Sequence, residues 1–302
     1  MTLQQLHYII EISETGSMNK AAEQLYIAQP SLTSAVKELE KEIGIQIFNR
    51  SGRGVTLTAD GVEFLTYARQ VYQQYETLQE HYSGSAKKKF SVSAQHYSFA
   101  VQAFVETVQQ FDACSYEFAM RETTTFNVIS DVSSMRSEIG VLYLSDFNRQ
   151  TITKLFQMNH LEFTTLIFCD VYVYLWKGHP LAEKKSVTFE ELEEYPCLTF
   201  EQGEKSSFYY AEEIFSTKDY KRVIKACDRS TMLNLMKGLN GYTFCSGIIC
   251  NQLNGSEYTA IPLSGQNDKM EIGYITRKNM ILSSIGKTYL EALQNYLGAK
   301  SI

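Results

Sequence analysis

The chain has 302 residues, 44% of them hydrophobic, and a formal net charge of -6. That length supports two or three domains with real cores, and the acidic balance argues against a general polyanion binder. No apolar run approaches the ~20 residues of a membrane-spanning helix, and MTLQQLHYII lacks a signal-peptide charge pattern, so the expected compartment is the cytoplasm, with no membrane partner.

Thr2 and Gln5 have capping-box spacing and open a helix whose apolar surface is Leu3, Leu6, Ile9 and Ile10. Ser17 is an N-cap candidate for a second helix, with Ala21, Ala22 and Leu25 on one face. Tyr26-Ile27-Ala28 fits a tight turn. Pro30 falls in the first turn of a third helix, where a missing N–H costs nothing. The buried stripe of that helix is Leu32, Ala35, Val36, Leu39 and Ile43, and Gly44 is its stop. The opposite face carries Ser31, Thr33, Ser34 and Lys37, all able to reach bases or phosphates. Residues 50–58 (RSGRGVTLT) suit a hairpin wing with a basic tip. This is the shape of a winged helix-turn-helix, which places one helix in a DNA major groove. The bare hairpin of helices also permits a protein-binding role or none. Residues 1–89 hold nine Lys and Arg against ten Asp and Glu. Affinity for DNA must therefore come from arrangement, with Glu38, Glu40 and Glu42 pointing away and Lys37, Arg50 and Arg53 pointing toward it, and it benefits from a dimer.

These residues resemble the DNA-binding domain of LysR-type transcriptional regulators. The match runs over about sixty residues: the opening Leu-x-x-Leu, Gly16-Ser17, Ala21-Ala22, Leu25, Gln29-Pro30-Ser31-Leu32, Leu39-Glu40, Gly44, Ile47-Phe48, Arg50, and Leu57-Thr58 with Gly61. The resemblance implies that Gln29, Pro30, Ser31, Thr33 and Ser34 face the groove, with Lys37, Arg50 and Arg53 near phosphates. Ser17, Asn19 and Lys20 complete the expected DNA-contacting set. Many members carry arginine where this chain has Ser34, which bears on base preference.

From Ala59 to about Tyr82 there is no proline. Phe64, Ala68, Val71, Tyr75, Leu78 and Tyr82 recur at alternating spacings of four and three, a heptad seam that suits pairing with a second copy. Packing on its own domain is the alternative. In the resembled family this segment is the dimerising linker helix, and tetramers form as dimers of dimers. Ser83-Gly84-Ser85 and Lys87-Lys88-Lys89 mark a hinge. The expected domains are 1–58 for DNA binding, 59–85 for the linker, and 86–302 for effector binding.

After Lys89, strands alternate with amphipathic helices: strands near 90–94, 116–120, 139–144, 171–175, 197–200, 223–226, 242–244 and 271–276, and helices near 99–111, 126–135, 208–215, 231–239 and 285–297. That order implies an α/β architecture with largely parallel sheets. It resembles the effector domain of the same family, which has the two-lobed fold of periplasmic solute-binding proteins. Trp176-Lys177-Gly178-His179-Pro180-Leu181, Tyr195-Pro196 and Met236-Lys237-Gly238-Leu239-Asn240-Gly241 carry that weaker match. It implies a first lobe of about 90–162 and 269–302 and a second of about 163–268.

Ligands in open α/β sheets bind at the carboxyl ends of strands, near helix N-termini. Four loops fall there: Gln95-His96-Tyr97-Ser98, Glu122-Thr123-Thr124-Thr125, 202–207 with Gln202, Gly203, Ser206 and Ser207, and Asp228-Arg229-Ser230. Ser98, Thr124, Thr125, Ser206 and Ser207 are candidate donors to a carboxylate or sulfate, and Arg229 is a candidate ion-pair partner. For any one of them, ordinary N-capping is the competing reading; convergence on one cleft is what favours a site. Helix N-termini favour negative charge and the loops hold few aromatic or basic clusters, so the expected effector is small, polar and anionic.

An enzyme reading finds no GxSxG, GxxxxGK[ST] or HExxH motif, and the five histidines lack metal spacing. The six cysteines include no CxxC pair, and Cys245 and Cys250 sit among apolar neighbours, so burial is expected over redox sensing. No catalytic residue, metal or cofactor is expected. The leading reading is a transcription factor whose partners are double-stranded operator DNA, a small-molecule effector and further copies of itself, with RNA polymerase a candidate further partner. The alternative is a solute-binding or enzymatic α/β domain whose helical N-terminus serves assembly.

Overall fold

The structure is a computed structural model that describes residues 1–51, 54–83, 88–111, 115–203 and 207–298. It forms two compact units, Met1–Ala86 and Lys87–Ile302.

In the first unit, α1 (Leu3–Thr15) begins with the reciprocal Thr2–Gln5 capping box. α2 (Met18–Gln24) is capped by Ser17, and α3 (Gln29–Ile43) has proline in its first turn and ends on Gly44 at φ 74°. Leu32, Val36 and Leu39 of α3 meet Ile9, Ile12, Ala21 and Ala22 in one core. Each large side chain so buried contributes about 1.5–3 kcal/mol. Ile12, rather than Leu3 or Ile10, completes the buried face of α1: Leu3 is exposed and Ile10 only partly buried. β1 (Phe48–Ser51) and β2 (Gly54–Leu57) form the antiparallel wing.

α4 (Ala59–Ser83) divides the expected heptad seam between two environments. Ala68 is buried and Phe64 packs on the core of its own unit, while Tyr72 stacks on His7 of α1 at 4.9 Å. Val71 and Leu78 stand exposed, at 49% and 57%. The side chain of Tyr82 lies outside the described residues.

The second unit opens with β3 (Lys88–Ala94), α5 (Ser98–Gln109), β4 (Tyr116–Glu122), α6 (Thr125–Ser133), β5 (Ile139–Leu144), α7 (Arg149–Met158) and β6 (Leu161–Asp170). β12 (Lys269–Arg277) and α11 (Ser284–Gly298) close it. Five strands form one sheet in the order β4-β3-β5-β12-β6. All six residues of β5 are buried because helices cover both faces: Val141 and Tyr143 join the core that includes α5 and α11, Leu142 and Leu144 that of α6 and α7.

The second lobe contains β7 (Tyr172–Trp176), α8 (Phe189–Leu192), β8 (Cys197–Phe200), β9 (Val223–Ala226), α9 (Arg229–Leu239), β10 (Thr243–Cys245), α10 (Asn251–Asn254) and β11 (Tyr258–Pro262). β10-β7-β11 form one small sheet, and β8 pairs in parallel with β9.

Three expectations are corrected here. The second lobe does not begin near residue 163; β6 is the edge of the first sheet, paired with β12, and the chain changes sheets between Asp170 and Tyr172. The sheets are mixed rather than largely parallel, because β6 leaves the first lobe and β12 re-enters it side by side, in opposite directions. Finally, 208–215 is not an α-helix. Only a 3-10 turn forms at Phe208–Tyr210, and Ala211 turns extended at ψ 144°. That lets Glu212 and Glu213 both point inward, to different partners.

Candidate DNA-reading helix and interlobe cleft

On α3, Gln29, Pro30, Ser31, Ser34 and Lys37 are exposed, and Thr33 is half-buried. The Gln29 amide donates to the Thr33 hydroxyl at 2.9 Å, which fixes both side chains one turn apart. Asn19 and Lys20 are exposed on α2, while the Ser17 hydroxyl is occupied as a cap, accepting from the Lys20 N–H. Tyr26, in the turn between α2 and α3, adopts φ 54° and is 96% exposed.

The base of the wing departs from expectation. Glu40 does not point away from a basic surface. Its carboxylate accepts from the Ile47 and Phe48 N–H groups at 2.8 and 3.1 Å and pairs with Arg50 at 3.5 Å. These two charges brace the joint between α3 and the wing, because buried strand N–H groups need an acceptor. Arg53 lies outside the described residues.

In the second unit, four loops converge between the lobes. Gln95 is fully buried; its amide donates to the Thr125 hydroxyl at 2.6 Å and its carbonyl accepts from the Tyr143 N–H and the Tyr97 hydroxyl. The Thr125 hydroxyl donates across the cleft to the Tyr210 carbonyl at 2.7 Å, and the Thr125 N–H donates to Gln202 at 3.2 Å. His96 meets Glu212 through both its backbone N–H and its ring, at 2.9 and 3.0 Å, and stacks on Phe200 at 3.9 Å. Arg229 spans to Glu122 of the first lobe at 3.0 Å and donates to Asn254 at 3.0 Å. The lobes are thus joined by the Arg229–Glu122 ion pair, the His96–Glu212 contact and several hydrogen bonds.

Other predicted residues serve the backbone. The Ser98 hydroxyl accepts from the Cys250 N–H, Thr124 caps α6, Thr123 accepts from Asn127, and Ser207 caps the 3-10 turn. In each of these contacts the hydroxyl oxygen accepts. Gly203 is exposed at φ 67°, and Ser206 lies outside the described residues. The interlobe cavity is small, about 80 Å³, room for only a few water molecules. Its walls include Tyr97, Tyr174, Phe200 and Phe244, so the expectation of few aromatics does not hold.

Glu212 and Glu213, which line the interlobe cavity, were not singled out in the sequence, and Glu122 was named only as part of a candidate loop. Burial, then the neighbouring charge of Glu212, pushes the Glu213 carboxyl up to about 8. For His96, burial alone acts downward, but the hydrogen bond and charge of Glu212 outweigh it, and the net shift is upward. Burial pushes the Cys245 thiol up to about 12, away from the thiolate character a redox sensor needs. Among the described residues no cluster of His, Cys, Asp and Glu is arranged to hold a metal, and no helix is long and apolar enough to cross a membrane.

Residues 3–62 match the family model for the bacterial regulatory helix-turn-helix protein, lysR family, and residues 115–298 match the LysR substrate binding domain. The chain is 25% identical over 299 residues to the uncharacterized HTH-type transcriptional regulator YbhD of Escherichia coli (strain K12), covering 97% of this chain and 91% of the relative. It is 29% identical over 205 residues to the HTH-type transcriptional regulator AlsR of Bacillus subtilis (strain 168), covering 66% and 64%. In fold it is similar to a full-length OxyR variant from Pseudomonas aeruginosa, with TM-score 0.67, 19% identity, and 98% and 94% of the two chains covered. With both parts matched, and the helix-turn-helix and two-lobed α/β fold they require present, the chain belongs to the LysR family of DNA-binding transcriptional regulators with an effector-binding domain.

Proposed function

We propose that this regulator works in the cytoplasm as a homodimer, reads operator DNA with the exposed polar face of α3, and is switched by a small polar, anionic metabolite bound between its lobes. The observation that carries the DNA reading is that face itself: Gln29, Ser31, Ser34 and Lys37 exposed at the start of a helix whose other side buries Leu32, Val36 and Leu39. Thr33 and Ser34 set base choice, while Lys37 and Arg53 supply affinity, because phosphates carry no sequence information. The Thr33→Ala, Ser34→Ala double variant is expected to lose operator discrimination while retaining salt-sensitive DNA binding. A gel shift against operator and scrambled duplexes checks this, and unchanged discrimination would move the reading face elsewhere.

Val71 and Leu78 favour pairing of α4 with a second copy. Val71→Asp places a charge in the seam, and sedimentation of the full chain is expected to show a weakened dimer; an unaltered dimer would sink the assignment. Tetramers built through the effector domains, and contact with RNA polymerase, are further steps of the same reading.

Arg229 supports the anionic effector. Its present partner Glu122 is itself a carboxylate, so the guanidinium is already shaped to hold an acid group. A metabolite acid that competes for Arg229 breaks one interlobe ion pair and shifts the equilibrium between lobe arrangements, by no more than its affinity difference for the two. Arg229→Met is expected to weaken such a ligand at least tenfold by calorimetry and to remove its effect on operator affinity. Unchanged ligand affinity in the variant would place the effector elsewhere.

A further inference from the structure

A second cavity, of about 430 Å³, lies within the second lobe beneath residues 207–220. The interlobe cavity measures about 80 Å³. Pockets for small metabolites run ~300–1,000 Å³, so of these two only the second-lobe cavity has room for one in this arrangement. Ala211, where the chain turns extended after the 3-10 turn, lines this cavity together with Cys197 and Thr199 of β8 and Val223 and Lys225 of β9.

We propose that this cavity is a second small-molecule site and takes a flat aromatic acid. Phe200, Phe208, Phe215 and Tyr220 supply ring surfaces around it. Phe208 is 64% exposed, a large apolar side chain that a bound ring would cover. Aromatic rings attract one another beyond what their buried area gives. Lys225 stands exposed at the edge of the cavity, on β9, and makes no ion pair among the described residues. It is the candidate partner for the acid group. Lys218 is already engaged over the Phe189 ring at 3.4 Å.

Glu213 adds a specific donor. One carboxyl oxygen accepts from the Phe200 N–H at 2.9 Å, and burial keeps the group protonated at neutral pH. Its O–H can meet an acceptor on the ligand. Phe200 and Glu213 line both cavities, and Gln202, which lines the larger one, holds Thr125 across the lobes and Glu212 within its own lobe. Occupancy therefore acts on the interlobe contacts from behind. That coupling rests on the effector reading above; the site itself does not.

The test uses two fluorescent probes on the full chain: 8-anilinonaphthalene-1-sulfonate, an aromatic anion, and the uncharged N-phenyl-1-naphthylamine. Saturable one-to-one binding of both is expected. Lys225→Glu should weaken the sulfonate at least tenfold and leave the neutral probe unchanged. Ser216→Trp fills the cavity and should weaken both at least tenfold, its fold checked by circular dichroism. The exposed Lys225 position keeps the test decisive if the tryptophan variant does not fold. Sulfonate affinity unchanged in Lys225→Glu overturns the site. Loss in Arg229→Met with retention in Ser216→Trp also overturns it and places the probe between the lobes, leaving the effector reading intact.

Discussion

Gly61→Ala is expected to unseat the wing from α4, lower the stability of the first unit by about 3 kcal/mol or more, and abolish operator binding. A Cβ at Gly61 would lie 2.0 Å from the Ile47 carbonyl oxygen and 2.9 Å from its carbonyl carbon. Both are backbone atoms, so no side chain can swing away. The Ile47 carbonyl is also held in place, accepting from the Thr58 N–H at 3.0 Å, while Thr58 caps the helix through the Gly61 N–H at 2.8 Å. Relief requires moving α4 or the strand that carries the wing. Overpacking typically costs about 1–3 kcal/mol, more when backbone must shift. An 86-residue unit has on the order of 4–13 kcal/mol in total, so the loss is a large share. For a unit of this size it corresponds to a Tm lower by roughly 10 °C or more. Gly238→Ala is the control: a Cβ there meets nothing within 4 Å, and α9 gains up to about 1 kcal/mol of helix propensity. Calorimetry and a gel shift on both variants check this. A Gly61→Ala protein with native Tm and native operator affinity would show that the wing can slide without cost.

Glu213→Gln is expected to flatten the alkaline decline in stability. The buried carboxyl titrates near 8, against an ordinary value of 4.5 when exposed. Between those values the folded chain holds a proton that the unfolded chain has released. Stability therefore falls as pH rises from about 4.5, and the fall is complete above about 8. The total is on the order of a few kcal/mol. Glutamine keeps an acceptor for the Phe200 N–H and stays neutral, so it loses the pH dependence without losing the contact. Melting temperatures should be close at pH ~5 and several degrees higher in the variant at pH ~9. His96 acts in the same sense. Its shift is upward, so its stabilisation is full below its unfolded value of 6.5 and is lost as pH rises through the folded value. Any slope left in Glu213→Gln above pH ~6.5 should disappear on adding His96→Gln. Parallel wild-type and Glu213→Gln profiles from pH ~5 to ~9 would mean that Glu213 is ionised throughout.

Much of the first unit was legible in the chain. The Thr2–Gln5 box, the Ser17 cap, Pro30 in the first turn and Gly44 after the last all act within four residues, and the Leu32, Val36, Leu39 stripe follows from helical period. Glu40 was different: its partners lie at the start of the wing, seven and eight residues on, and only the folded corner brings them together. The heptad on α4 was visible as a pattern, yet the pattern could not say that Phe64 and Ala68 face their own unit while Val71 and Leu78 do not. Periodicity reports that a face is apolar, not what covers it.

In the second unit most strands and helices, and the loops at the strand ends, were legible in the chain, though the helix expected at 208–215 was not formed. Which sheet received β6 was settled only on folding, because strand propensity is indifferent to which partner pairs with it. Folding alone decided that Glu212 and Glu213 turn inward, since adjacent acids in an amphipathic stretch read as a solvated face. The contacts that reverse that reading span 116 residues from His96 to Glu212 and 107 from Glu122 to Arg229. Capping and periodicity are local forces, written in neighbouring residues. The cost of burying a charge, and the partner that offsets it, depend on what the fold brings from far along the chain.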